Sequence, residues 1–246
     1  MTLRSALSTP AGKARYVRGL FATIADRYDL ITVVLSYGQD ARWKRRLVAR
    51  GQPLEGKRVL DLACGTGDIA FLAAAGGARV TGLDLTPRMI ELARQKGKWG
   101  GASASRAGDK RPVEFLVGDM TALPIADGSV DLVTTGYGLR NVPDLERAIA
   151  EIRRVLKPGG RLLSLDFNRP SSPLVRAAYH AYLTAVGSAL GWLLHRDGDT
   201  YRYIPESLRR YPAADAVVAM LYEAGFSNAR WHHVLGGLLA IHEAER

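Results

Sequence analysis

The chain has little cysteine and no long apolar run. Its single cysteine, Cys64, excludes a disulfide framework and any zinc site that needs several cysteines. The longest stretch without a formal charge, Ala177–Leu194, contains polar residues such as Thr184 and does not predict a membrane span. Residues 1–10 lack the apolar core of a secretory signal. These absences favour a cytoplasmic protein.

Acidic residues are scarce before the first predicted strand. Residues 1–58 contain twelve Lys and Arg but only four Asp and Glu, so this part holds +8 of the total formal charge of +10. Such a segment is compatible with nucleic acid, with anionic lipid, with an acidic substrate, or with a solvated face that has no partner.

From Arg58 onward, short apolar runs alternate with helical patterns, which predicts an α/β fold with a doubly wound, mostly parallel sheet. Near the C-terminus, 229–235 and 238–241 are predicted to form an antiparallel hairpin. We divide the chain into a basic helical region, 1–57, and a main domain, 58–246, within which 171–212 forms a helical substrate cover. The predicted strands are 58–63, 79–83, 113–117, 130–135 and 161–166, and the predicted helices are 68–75, 87–96, 144–156 and 214–224.

A glycine-rich turn between the first strand and helix predicts a nucleotide-like cofactor. Gly65 and Gly67 allow a ligand to approach the backbone closely because no Cβ intervenes, although this spacing also fits a dinucleotide fingerprint. Asp61 would repel a pyrophosphate but attract a sulfonium and an ammonium. Asp84, closing the second strand, suits the ribose hydroxyls of either cofactor. The charge therefore favours S-adenosylmethionine.

The third strand leads into Gly118-Asp119-Met120-Thr121-Ala122-Leu123-Pro124, which looks like the adenine-binding turn of class I methyltransferases. There the carboxylate of Asp119 would meet the adenine amino group and Met120 would pack on the ring. Alternatively, Asp119 is a turn carboxylate that caps backbone amides.

The motifs together resemble those of the ubiquinone/menaquinone biosynthesis C-methyltransferases (UbiE/MenG type), over about residues 18–246. The most specific are Gly138-Leu139-Arg140-Asn141-Val142 and Tyr201-Arg202-Tyr203-Ile204-Pro205-Glu206-Ser207, and the chain also carries Phe21-x-x-Ile24-Ala25-x-x-Tyr28-Asp29. The chain departs from the family pattern at Gly136, where serine is usual and only a backbone contact remains, and at Thr32, where asparagine is frequent.

The resemblance implies a seven-stranded class I methyltransferase that methylates a ring carbon of a polyprenylated quinol, demethylmenaquinol or 2-polyprenyl-6-methoxy-1,4-benzoquinol. We expect Arg140 to stabilise a developing phenolate and Asn141 to orient the quinol oxygen, with a structural ion pair as the alternative role of Arg140. Tyr201 and Tyr203 are candidates for the acceptor pocket or for core packing. The predicted cofactor-binding residues are Asp61, Ala63, Gly65, Thr66, Gly67, Asp84, Leu85, Asp119, Met120 and Gly136.

We expect no metal, because the five histidines show no ligand spacing. Since the acceptor carries a polyprenyl tail, we expect weak peripheral contact with an anionic membrane through the helix predicted at 173–194 and the basic N-terminal region. Packing of this helix on the protein's own core is the alternative. The sequence leaves a monomer and a homodimer open.

Three rival functions stay open at this point: methylation of another small or lipid acceptor, methylation of nucleic acid, and cofactor binding without catalysis. We expect no nucleic-acid partner, because an Asn/Asp-Pro-Pro-aromatic base-flipping motif and an RNA-binding appendage are both absent from the sequence.

Overall fold

The computed structural model describes residues 7–98, 113–196 and 202–246. Its strands form one seven-stranded sheet in the order β3-β2-β1-β4-β5-β7-β6. All neighbouring pairs are parallel except those of β7, which runs antiparallel to both β5 and β6. The strands are β1 Arg58–Leu62, β2 Arg79–Asp84, β3 Glu114–Val117, β4 Val130–Gly136, β5 Leu156–Phe167, β6 Ser227–Val234 and β7 Leu239–Glu245.

The helices of the described residues fall into two groups. One group alternates with the strands as the sequence predicts: α4 Asp68–Ala75, α5 Pro87–Lys98, α6 Leu145–Val155 and α9 Ala214–Glu223. The other group lies outside this alternation and comprises α1 Pro10–Ile24, α2 Tyr28–Leu35, α3 Asp40–Arg50, α7 Pro173–His195 and α8 Tyr203–Arg210. The predicted α/β fold, with its C-terminal antiparallel hairpin, is confirmed.

Apolar side chains from strands and helices pack in two large clusters. One contains Leu60 and Val133 together with the buried stripe of α6, which includes Ile149 and Ile152. The other contains Val59 and residues of α4 and β7. Because successive residues of a strand point to opposite faces, Val59 and Leu60 of one buried strand contribute to different clusters.

The fifth strand begins earlier than predicted. The sequence suggests that Lys157-Pro158-Gly159-Gly160 stops a helix before the strand starts, but α6 ends at Val155 and β5 starts at Leu156. The run forms an irregularity inside the strand, since Leu156 pairs with Val130 whereas Arg161 pairs with Leu132. Gly159 adopts φ +74°, a conformation that glycine allows without a steric penalty.

Candidate active site

A cavity lies where β1, β2, β3 and β4 end, the edge at which parallel sheets bind ligands. It is lined by predicted cofactor residues from four consecutive strand ends and by side chains of α1 and α2 that the sequence did not suggest. The predicted residues that line it are Ala63, Gly65, Asp84, Leu85, Asp119, Met120 and Gly136. We call it the cofactor cavity.

Asp84 closes β2 and is held in place by backbone donors. Its two carboxylate oxygens accept hydrogen bonds from the N–H groups of Gly65 (2.9 Å) and Thr86 (2.8 Å). Burial raises the pKa of Asp84, while these two bonds oppose the rise. The bonds fix the carboxylate at the cavity wall, and its remaining lone pairs can accept bonds from a pair of hydroxyl groups.

Asp119 and Met120 follow β3 and form the far end of the cofactor cavity. The Oδ1 atom of Asp119 accepts hydrogen bonds from both the N–H and the hydroxyl of Thr121, each at 2.8 Å. Met120 is buried in the core cluster beneath. Asp119 therefore caps its own turn, and it also lines the cavity, so the two interpretations of this residue are compatible.

Two glycines in the wall of this cavity pack too closely against neighbouring side chains to leave room for a Cβ. A Cβ at Gly138 would lie 2.3 Å from Thr135 Oγ1 and 2.9 Å from the Cβ of Ala63. A Cβ at Gly136 would lie 2.6 Å from Ile69 Cδ1. Both glycines line the cavity, but the sequence analysis selected only Gly136 as a site residue.

Three predicted residues support the cofactor cavity from behind and do not line it. Asp61 is fully buried, accepts a 2.8 Å hydrogen bond from the Thr134 hydroxyl, and has its pKa raised to about 7 by burial. Thr66 lines a smaller neighbouring pocket. Gly67 begins α4 at φ +89°, where a Cβ would meet Phe115 and Phe71. None of the three lines the cofactor cavity itself, and a direct contact of each with the cofactor stays a prediction.

The donor set fits S-adenosylmethionine. Among the described residues, two carboxylates and no lysine or arginine line the cavity. A pyrophosphate would lack a cationic partner among the lining residues, so a dinucleotide fits poorly. Of the predicted residues, Asp84, Asp119, Met120 and the backbone at Gly65 and Gly136 would hold the cofactor.

A second, larger cavity of about 710 Å³ lies beside the first, between the N-terminal helices and the helices that follow β5. Its walls are overwhelmingly apolar, with lining residues that include Leu20, Ile24, Ile31, Leu35, Trp43, Leu174, Val175, Ala178, Leu183 and Leu238. We call it the acceptor cavity, because its size and apolar walls suit a hydrophobic ring with an attached chain.

The catalytic candidates Arg140 and Asn141 both line the acceptor cavity. Arg140 is only 5% exposed; its Nε and backbone N–H bind the Asp166 carboxylate at 3.2 and 3.1 Å, and its Nη1 donates to Ser207 at 2.7 Å. Burial raises the pKa of Asp166, and the guanidinium opposes this. Arg140 thus makes the ion pair that we considered as its structural role, and it also lies at the cavity.

Asn141 is held on both sides of its amide. Its Nδ2 donates to the carbonyl of Tyr137 at 2.7 Å, and its Oδ1 accepts from the Tyr203 hydroxyl at 2.9 Å. Tyr203 is 1% exposed, lines the acceptor cavity and packs against α1. It therefore combines the pocket and packing roles suggested for it, whereas Tyr201 lies outside the described residues.

Four side chains line both cavities: Phe21, Tyr28, Tyr137 and Asn141. Tyr137 adopts φ +60°, an unusual backbone conformation for a bulky residue, and its hydroxyl donates to the buried Asp40 at 2.8 Å. Phe21 and Tyr28 both belong to the N-terminal family motif, but the sequence alone assigns neither of them a role. Their place in that family motif was the sequence signal that could have identified them as site residues.

Charged side chains connect the N-terminal helices to the cofactor loop. Asp29, at the start of α2, accepts from the Thr66 hydroxyl (2.6 Å) and from Lys96 (2.9 Å). Asp68 binds Lys96 and also Lys44 of α3, at 2.5 and 2.8 Å. The helices that cover the acceptor cavity are therefore attached directly to the loop that forms the cofactor cavity.

Residues 7–98, 113–196 and 202–246 contain neither a candidate metal site nor a candidate membrane span. No group of three or more His, Cys, Asp or Glu there could hold a metal ion. No helix of that part is long and apolar enough to cross a bilayer.

Solved structures with the same fold are S-adenosylmethionine-dependent methyltransferases. One from Thermotoga maritima superposes with a TM-score of 0.62 at 19% identity, over 92% of this chain and 98% of its own. Another from Aquifex aeolicus gives a TM-score of 0.58 at 18% identity, over 82% and 88%. At such identities the likeness supports the fold alone.

Curated relatives match almost the whole chain. A protein from Thermus thermophilus named demethylmenaquinone methyltransferase is 42% identical over 92% of this chain and 100% of its own length. A Paracoccus denitrificans protein named ubiquinone/menaquinone biosynthesis C-methyltransferase UbiE is 38% identical over 94% and 90%. The model of the ubiE/COQ5 methyltransferase family matches residues 9–246. With this match and a cavity suited to S-adenosylmethionine, the chain belongs to the ubiE/COQ5 methyltransferase family.

Proposed function

We propose that this enzyme transfers a methyl group from S-adenosylmethionine to a ring carbon of a polyprenylated quinol, either demethylmenaquinol or 2-polyprenyl-6-methoxy-1,4-benzoquinol. The names of the relatives support the acceptor class. The apolar cavity of about 710 Å³ supports an acceptor with a hydrophobic ring and tail.

The observation that carries the proposal is the wall shared by the two cavities. Phe21, Tyr28, Tyr137 and Asn141 each line both. A methyl group and a ring carbon must come to about 3–3.5 Å before reaction, so donor and acceptor sites must adjoin. Three of the four shared side chains are aromatic, and they exclude water from the junction.

The donor, when bound, supplies an electrophilic methyl group on a sulfonium. The chain's own residues have to hold it and to make the acceptor carbon nucleophilic. Asp84 is fixed to accept bonds from ribose hydroxyls, and Asp119 lies at the adenine end. Loss of a proton from a quinol hydroxyl raises the electron density on the ortho carbon. This carbon then bonds to the methyl group as the methyl–sulfur bond breaks and S-adenosylhomocysteine leaves, and loss of the proton on the same carbon restores the aromatic ring.

Arg140 and Asn141 serve the acceptor in this proposal. With Nε and Nη1 of Arg140 occupied by Asp166 and Ser207, Nη2 is the part of the guanidinium that can stabilise a developing phenolate. A guanidinium cannot accept the quinol proton, so this proton leaves through water or another side chain. The second N–H of the Asn141 amide can orient the quinol oxygen.

We also propose contact with a membrane, because the polyprenyl tail of the acceptor resides in the bilayer. Several residues at the acceptor cavity are both lining and strongly exposed, among them Leu174 (81%), Tyr37 (74%) and Leu235 (55%). They form an apolar rim through which a tail can pass. On α7, the side chains of Leu174, Ala178 and Tyr182 line the cavity, so this helix contributes to the cavity as well as to the rim.

The decisive experiment offers the purified protein S-adenosylmethionine and each reduced quinol separately, with products read by mass spectrometry. A gain of one methyl on either ring supports the proposal and identifies the branch of the pathway. No product on either ring, with cofactor binding intact, moves the acceptor to another hydrophobic compound.

A further inference from the structure

A groove of about 380 Å³ on the outer side of α7 is lined by four basic side chains: Arg169, Arg176, His180 and Arg209. They come from the segment after β5, from α7 and from α8. Among the described residues, no carboxylate lines the groove, so three permanent positive charges face one space.

The described partners of these arginines do not neutralise the groove. Arg209 contacts Glu206 at 3.5 Å, but the same carboxylate also pairs with Arg210 at 3.4 Å. Arg176 donates a long, 3.4 Å bond to the carbonyl of Pro170, which is uncharged. The groove therefore keeps an excess of positive charge.

His180 adds an unused polar atom. Its Nδ1 is buried and has no hydrogen-bond partner among the described residues. Burial and the charges of Arg209, Arg176 and Arg169 lower the pKa of this histidine, while Glu206 opposes them. An anion in the groove would offset the charges of the three arginines and favour the protonated form of the histidine ring.

The groove shares α7 with the rim of the acceptor cavity. Leu174 and Val175 line that cavity and are 81% and 47% exposed, whereas the adjacent Arg176 lines the groove. One turn later, Tyr179 likewise lines the acceptor cavity and the adjacent His180 lines the groove. The first turns of this helix thus present apolar side chains beside the basic groove, which suits the boundary between acyl chains and headgroups.

We propose that Arg169, Arg176, His180 and Arg209 form a binding site for a phosphate group, and that an anionic phospholipid headgroup fills it while the acceptor cavity opens toward the bilayer. Guanidinium groups bind phosphate oxygens in pairs, which gives the site a geometry that diffuse attraction lacks. The proposal rests on the proposed function only for its choice of a lipid over a free phosphate.

The test measures cosedimentation with vesicles of phosphatidylcholine alone and of phosphatidylcholine with phosphatidylglycerol, without quinol or donor. The variant Arg176→Gln/Arg209→Gln removes two groove charges. The matched control, Arg58→Gln/Arg79→Gln, removes the same charge from two exposed arginines at the starts of β1 and β2, at the edge of the sheet opposite the ligand cavities. We expect the groove variant to bind anionic vesicles roughly 30-fold more weakly and the control to stay within about threefold of the wild type.

Equal losses in both variants would mean general attraction to the membrane and would overturn the site. Failure of the wild type to bind anionic vesicles would overturn the lipid assignment. A titration with inorganic phosphate separates the two sources: binding of phosphate that needs Arg176 and Arg209, without vesicle binding, assigns the site to a soluble anion. Methylation of a short-chain quinol by the groove variant reports the proposed function independently.

Discussion

The cofactor cavity and the acceptor cavity adjoin, but they are built in different ways. The first is formed mainly by turns at the ends of consecutive parallel strands, where glycines and fixed carboxylates lie on the sheet. The second is enclosed by helices outside the strand alternation and is lined by side chains far apart in sequence. The sheet thus fixes the donor position, whereas separate helices shape the acceptor space.

This difference predicts different responses to substitution. A change at a strand-end turn alters the space that the backbone leaves for a ligand. A change among the helices alters side-chain packing and the polar end of the acceptor cavity. The following experiments test whether the two cavities separate in this way.

The largest effect should come from breaking the ion pair at the polar end of the acceptor cavity. Arg140→Ala leaves Asp166 buried and unpaired, so we expect a loss of about 3–5 kcal/mol in the free energy of unfolding, read from urea denaturation. Asp127→Asn, which breaks an exposed pair with Arg154, should cost less than about 1 kcal/mol.

Stability and catalysis can be separated at the same pair. Arg140→Met/Asp166→Asn removes both charges, and we expect it to recover much of the lost stability and to bind S-adenosylmethionine. If this folded variant methylates as fast as the wild type, Arg140 has only a structural role and its proposed contact with the phenolate is wrong.

The next effect concerns the cofactor cavity. Gly138→Ala places a Cβ against Thr135 and Ala63, and we expect this overpacking to cost about 1–3 kcal/mol in the free energy of unfolding. Because the turn that lines the cavity must shift to accept the Cβ, we also expect a weaker donor affinity by calorimetry. Gly19→Ala is the control, because its Cβ would meet nothing within 4 Å. Normal donor binding by the Gly138 variant would contradict the idea that backbone space defines this cavity.

Donor binding should also depend on pH through Asp61. Because its pKa is raised to about 7, its carboxyl group becomes ionised as the pH rises from 6 to 8. The cationic donor should therefore bind up to about tenfold more tightly at pH 8, and S-adenosylhomocysteine, which lacks the sulfonium charge, should change less.

The variant Asp61→Asn checks this assignment and should flatten the affinity profile. The same raised pKa means that the free protein loses stability as the pH rises from about 4 through 7, and the variant should remove this loss as well. If the affinity of the wild type for S-adenosylmethionine does not change between pH 6 and 8, the charge of Asp61 is too well shielded to affect donor binding.

The smallest expected effect lies in the acceptor cavity. Tyr203→Phe removes the hydroxyl that holds Asn141 Oδ1, so we expect kcat/KM for the quinol to fall about fivefold, equivalent to about 1 kcal/mol, with unchanged donor affinity. Tyr222→Phe, whose hydroxyl binds the carbonyl of Ala229 on the opposite part of the sheet, is the control. A weaker donor affinity in the Tyr203 variant would show that the cavities are not separable there.

The cofactor side was largely predictable from the sequence. Strand ends meet at one edge of a parallel sheet, so local motifs were enough to bring Gly65, Asp84 and Asp119 together. The sequence could not tell that Asp61 points beneath the loop, because a one-residue difference in strand position reverses the side of the sheet. A direct contact of Asp61 with the cofactor therefore stays a prediction, because the strand register decides it.

The acceptor side was much less predictable. Tyr28 and Tyr137 are 109 positions apart in the sequence and meet only through the packing of α2 against the turn after β4. The pairing of Arg140 with Asp166 likewise depends on the order of β4 and β5 in the sheet and on the positions of nearby turns. Such long-range contacts leave no pattern in the nearby sequence. The family motifs therefore identified the residues but not the side chains that they contact.

The four side chains shared by the cavities restrict how this enzyme can evolve. A mutation of Phe21, Tyr28, Tyr137 or Asn141 that admits a new acceptor also changes the surface against which the donor rests. Substrate range and donor affinity are therefore inherited together at these positions. Lineages that acquire a different acceptor should change first at residues that line only the larger cavity, such as Leu174 or Leu235.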